Sequence, residues 1–234
     1  AIPLFALELG GSVSMTALVF ALRGLGNMTA DVPAGYGAAR FGDKFMMLVG
    51  IGAMVVVGLL ASFADNAWQL AGASFCFGCA MATWLIARLT HISEFIPDHQ
   101  RGKALSTMAG LQRFASLLGP VATGLLAYQF GFQYVFLAIS VVAAIALLLV
   151  IQYVPENEHS QTERKHELLQ IIPNILITHR RTFLTAGVAI FFLSILRAGR
   201  QLLIPIWGHT IGLDTSEIGL IASIAGGADM MMFP

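Results

Sequence analysis

Six runs of about twenty mostly apolar residues, joined by short connectors, dominate this 234-residue chain. They fall near 13–33, 45–64, 69–93, 104–128, 132–154 and 183–207, and a seventh opens near 216. A hydrocarbon core of roughly 30 Å takes about 20 such residues as one helix. Composition agrees: 57% of residues are hydrophobic and 11% charged, against about 45–50% and about 25% in soluble domains. So few charges cannot cover so much apolar surface in water, which makes lipid part of the solvent. The net charge of zero argues against a nucleic-acid partner. Cys76 and Cys79, inside the apolar "FCFGC", read as small apolar fillers rather than a redox or metal pair. The chain starts at Ala1 without a signal peptide and ends at Pro234 within an apolar run, as expected of a piece of a longer protein. Residues 1–9 read as the outer end of a helix.

Basic residues sit on alternate connectors. Arg40 and Lys44, Arg101 and Lys103, and Arg164, Lys165, Arg180 and Arg181 occupy one set, whereas the connectors near 1–12, 65–68, 129–131 and 208–215 carry none. That asymmetry assigns the first set to the cytoplasm and Ala1 to the outer side of a cell (inner or plasma) membrane. Segment 155–182 opens with the charged "ENEHSQTERKHE" and turns amphipathic, as expected of a cytoplasmic linker along the membrane surface.

The remaining basic residues, Arg23, Arg88, Arg113, Arg197 and Arg200, all fall within spans, as do Asp31, Asp229 and Glu94. Charge at membrane depth costs about 2.5–3.5 kcal/mol or more and normally faces a cavity or a partner. Snorkelling or a static ion pair is the competing reading for each. Arg23 lies about 22 Å from the inner edge at the helical rise, with nothing local to balance it. Its partner is either another helix or an anionic substrate. Arg197 and Arg200 share a helix face and suit a carboxylate or phosphate, or else a pairing with Glu8 or with helices beyond this sequence. Arg88, His91 and Glu94 recur at three-residue steps, a polar track in which His91 beside Glu94 suits proton coupling. Structural hydrogen bonding is the alternative for His91. His209, in an outer connector, reads as solvated.

The two ends of the chain resemble each other. Segments 2–24 and 204–226 align without gaps, matching Ile2 with Ile204, Pro3 with Pro205, Gly10 with Gly212, Ser14 with Ser216, Leu18 with Leu220 and Gly24 with Gly226. After a one-residue slip, Gly26 matches Gly227 and Pro33 matches Pro234. Parallel six-helix repeats with substrate at the midplane are the plan of one large transporter class.

"GYGAARFGDK" resembles the loop between the second and third helices of the major facilitator superfamily, whose pattern is Gly-x-x-x-Asp-Arg-x-Gly-Arg-Lys. Gly35, Arg40, Gly42 and Lys44 match; Ala39 stands at the family's aspartate and Asp43 at an arginine. That aspartate latches the inner gate in the family, and Asp31 or Asp43 is its candidate substitute here. "EFIPDHQRGKAL" resembles the exit of the fourth helix through Glu94, Pro97, Arg101 and Gly102. "ASLLGPVATG" resembles the fifth-helix motif of drug–proton antiporters through Gly119, Pro120 and Gly124, with Ala115 and Thr123 replacing glycines. The antiporters' fourth-helix arginine is absent, Ser74 standing four residues before Gly78.

The resemblance covers the whole chain, from the end of helix 1 into helix 8. It implies an all-α integral membrane protein of the facilitator fold, with two pseudo-symmetric six-helix bundles. The N-terminal bundle would take 1–154, a linker 155–182, and the truncated second bundle 183–234. Helices 5 and 8 face each other across the halves in that family. Arg113 and Asp229, both near 15 Å from the inner edge, are therefore expected to form an ion pair, switching or static. Pro120 is expected to bend its helix, and Gly24, Gly26, Gly226 and Gly227 to permit close packing. The expected function is secondary transport of a small organic solute by alternating access, as proton-coupled efflux. The alternatives are an organic-anion carrier using the intramembrane arginines and a non-transporting sensor or scaffold. No zinc-protease or phosphate-loop motif is present, so neither enzymatic activity nor a cofactor or metal is expected. The expected partners are a small-molecule substrate, protons and the bilayer, with the protein a monomer.

Overall fold

The computed structural model describes residues 2–155 and 180–232. Within them the chain forms eight helices and no strand: α1 Ile2–Glu8, α2 Val13–Phe41, α3 Asp43–Ser62, α4 Ala67–Phe95, α5 Asp98–Phe130, α6 Phe132–Tyr153, α7 Arg180–Thr210 and α8 Thr215–Met232. Most helices outrun the apolar runs that announced them, because a helix continues into polar flanks that hydropathy reads as connector. α7 thus already begins at Arg180, ahead of the apolar run that announced it. Most of that linker, 156–179, lies outside the described residues. By length and composition alone, α3, α4 and α6 are apolar enough to cross a membrane. The other long helices carry Arg23, Asp31, Arg113, Arg197, Arg200 and Asp229.

The glycine-rich signature is not the expected loop. α2 runs through Gly35, Ala39 and Arg40 to Phe41, and Gly42 alone separates it from α3. Gly42 has φ 91°, a left-handed conformation strained for any residue with a Cβ. Gly131 makes the same one-residue turn between α5 and α6 at φ 93°.

The internal repeat is visible in individual hydrogen bonds. At the end of α1, Leu9 N–H donates to Phe5, Gly10 to Leu7 and Gly11 to Ala6; at the end of α7, Ile211 donates to Trp207, Gly212 to His209 and Leu213 to Gly208. Every pair is displaced by the same interval in sequence. Gly10 and Gly212 hold the turns at φ 75° and 83°, the glycine-capped helix end in which orphan carbonyls find donors. Thr16 N–H to Ser12, and Ile218 N–H to Asp214, then open α2 and α8 equivalently.

Close crossings hold the bundle. α2 and α4 meet reciprocally at Gly26 and Gly78: a Cβ on Gly26 would strike the Phe75 carbonyl, and one on Gly78 the Arg23 carbonyl. On α3, a Cβ at Gly50 would lie 2.7 Å from the Trp84 nitrogen of α4, and one at Gly58 would strike the Ser140 hydroxyl of α6. α1 docks through Phe5, whose ring centroid is 5.7 Å from Phe132 and 5.4 Å from Phe136. Without a hydrophobic drive between helices in lipid, such close van der Waals contact is what holds them together. Outward faces stay apolar, as Val142, Ile145 and Leu148 of α6 show, each more than half exposed. α5 packs on α6 and on α8, which in turn contacts α7.

Candidate functional site

The signature turn delivers a buried carboxylate–imidazole contact. As the first residue of α3, Asp43 sits where a helix favours negative charge, and its Oδ1 accepts the Lys44 N–H at 2.8 Å. Its Oδ2 lies 2.5 Å from Nδ1 of His91, with side-chain exposures of 5% and 14%. A buried carboxylate is tolerable only when so bonded. The His91 ring also stacks on Phe95, centroids 4.3 Å apart. The expected neighbour of His91 was Glu94; its bond runs instead to α3. Within the polar track, Arg88 lies over the Trp84 ring at 4.4 Å, its Nε buried without a hydrogen-bond partner among the described residues.

Arg23 is half-buried on α2, its guanidinium 5.2 Å over the Phe77 ring of α4. A cation–π contact of this kind replaces part of the lost hydration. Neither Arg23 nor Arg88 has a carboxylate partner among the described residues. Asp31 is exposed on α2, as is Arg40, which lies over Phe41 at 5.2 Å. Gly35 and Gly102 face open space. Arg101 donates from Nε to the Ile96 carbonyl at 3.0 Å and, with Thr90, Ser93 and three apolar neighbours, lines a cavity of about 370 Å³ between α4 and α5.

α5 and α8 pack along a glycine seam. A Cβ on Gly219 would lie 2.6 Å from the Pro120 carbonyl oxygen, and one on Gly124 2.9 Å from that of Thr215. Gly226 and Gly227 continue the seam against Ser116 and Leu117, as expected. Gly24 and Gly119 do not take part in close packing, for a Cβ on either would meet open space. Arg113 is exposed on α5, whereas the side chain of Asp229 lies outside the described residues. Arg197 is exposed and Arg200 half-buried on α7. Among the described residues no cluster of three His, Cys, Asp or Glu suits a metal ion; Cys76 and Cys79 are free thiols.

Sequence reasoning missed Phe77, Trp84 and Ser223. Trp84, one turn before Arg88, was available from spacing; the other two depend on which helix lies opposite.

Across residues 1–234 the chain matches the family model described as Major Facilitator Superfamily. The chain belongs to that superfamily. Over a 243-residue alignment covering all of it, this facilitator is 28% identical to the multidrug resistance protein MdtG of Salmonella dublin, and equally to that of Salmonella typhimurium. It spans 59% of the length of those relatives. An uncharacterized MFS-type transporter of Mycobacterium tuberculosis is 31% identical over 120 residues, which are 51% of this chain and 21% of that protein. The fold is accordingly that of an all-helical, multi-pass membrane protein.

Proposed function

We propose that the chain is part of a non-enzymatic secondary carrier that exports small organic solutes by alternating access, driven by protons. In this reading residues 1–154 form the N-terminal bundle, 155–182 a cytoplasmic linker, and 183–234 the start of the second bundle. The repeated helix–turn–helix carries the proposal. The α1–α2 turn recurs bond for bond in α7–α8, as expected where two equivalent bundles enclose a site at the membrane midplane. The α5–α8 seam is then the contact between bundles. Basic connectors put the signature turn and the linker in the cytoplasm of an inner or plasma membrane and Ala1 outside. The relatives' name, multidrug resistance protein, points to drug-like substrates.

Proton drive is supported by the Asp43–His91 pair, since His is the side chain that changes charge near physiological pH. The test is uptake of a fluorescent drug into everted vesicles carrying the full-length protein. Uptake should follow an imposed proton gradient and collapse with a protonophore. Gradient-insensitive uptake would overturn proton drive, and absence of uptake across a broad substrate set would favour a scaffold.

A second reading is favoured by Arg23 and Arg88, which lack carboxylate partners among the described residues. Such cations suit an organic anion as cargo. Competition in the same vesicles separates the two: anionic amphiphiles should inhibit more strongly than cationic ones under the second reading only.

A further inference from the structure

On α8, Ser223 stands four residues after Gly219 and three before Gly226, hence on the face those glycines press against α5. It is 4% exposed, and among the described residues its hydroxyl has no hydrogen-bond partner. The glycine stripe alone would be ordinary close packing. The stranded hydroxyl within it is not, because a buried polar group without a partner forfeits its hydration and receives nothing in return.

We infer that Ser223 sets the opening equilibrium of the α5–α8 seam. Closed, the seam is too tight at this point to admit water to the hydroxyl, whose oxygen is buried. Open, water satisfies it, and satisfies also the carbonyl of Ser116, which Pro120 deprives of its helical donor. That carbonyl lies on the facing edge of α5, 3.4 Å from where a Gly226 Cβ would stand. The unsatisfied hydroxyl therefore destabilises the closed seam selectively and holds the two states near balance. A seam of glycine and apolar contacts only would close too firmly to alternate, since an equilibrium moves only through differences between its states.

The inference rests on the two-bundle reading, because only a seam between bundles opens during transport. Ser74 supplies the contrast. It is 2% exposed and equally unpartnered among the described residues, but on α4, which packs on α2 within one bundle.

The test is pulsed dipolar spectroscopy on the full-length protein in lipid, with Cys76 and Cys79 replaced by alanine. Spin labels go on cysteines at the exposed positions Leu111 of α5 and Ile224 of α8. Two distance populations are expected. Ser223→Ala should raise the ratio of short to long on the order of tenfold, and Ser74→Ala should leave it unchanged. An unchanged ratio in Ser223→Ala, or a move to longer distances, would show the hydroxyl satisfied in the closed seam and overturn the inference. An equal shift from Ser74→Ala would overturn it too, as general stabilisation. A single population in the unsubstituted protein would remove the two-bundle reading along with it, so the two failures are distinguishable.

Discussion

Asp43 stands at a basic position of the family pattern and is nevertheless buried, which its bonds to the Lys44 amide and His91 make tolerable. His91→Gln keeps a hydrogen-bonding side chain but cannot take up a proton. The proposed proton drive therefore predicts that this variant loses most of its acceleration by a proton gradient while remaining folded. Retention of the full response in the vesicle assay would assign the pair a purely structural role. His91 was legible in the sequence as a candidate, its partner was not. Spacing along one helix can point only to neighbours such as Glu94, whereas Asp43 arrives through a one-residue turn whose direction no helical period encodes. Glycines divide in the same way. Gly78 and Gly24 look alike in sequence, yet a Cβ on Gly78 would strike the Arg23 carbonyl and one on Gly24 would meet nothing. Gly78→Val should destabilise the solubilised protein by about 1–3 kcal/mol or more through overpacking, read as a lowered thermal midpoint. An unchanged midpoint would contradict the α2–α4 crossing.

Among the elements, existence and type were legible because apolar runs of helix length leave little choice in lipid. Their ends were not. Hydropathy stopped the second helix at residue 33, although α2 continues through Pro33 to Phe41 and ends only at Gly42, with φ 91°. The glycine–proline motif likewise identified α5, but tight packing sits at Gly124 and on the carbonyl side of Pro120, while Gly119 faces open space. The pairing of α5 with α8 fits the proposed Arg113–Asp229 ion pair. Reversing either charge should cut transport, on the order of tenfold or more, and reversing both should recover most of it. A double variant as inactive as the worse single one would rule the pair out.

For the whole molecule, the repeat read from scattered identities proved to be a repeat of hydrogen bonds, with Gly10 and Gly212 in the same left-handed turn. Weak sequence identity suffices there because the turn geometry tolerates few residues, whereas the helix faces between tolerate many. The repeat also makes Gly24 the counterpart of Gly226, which lies over α5. If the two bundles meet along two equivalent seams, Gly24→Leu should reduce transport by the full-length protein severalfold without lowering its thermal midpoint. Normal transport would count against the second seam.

The central claim is that α5 and α8 must separate for transport. It is tested most directly by cysteines replacing Leu117 and Gly227, where a Cβ on Gly227 would lie 3.2 Å from the terminal Cδ1 methyl of Leu117. With Cys76 and Cys79 replaced by alanine, the full-length protein in everted vesicles should cross-link on oxidation, stop exporting drug, and recover on reduction. Full transport by the cross-linked protein would contradict the account.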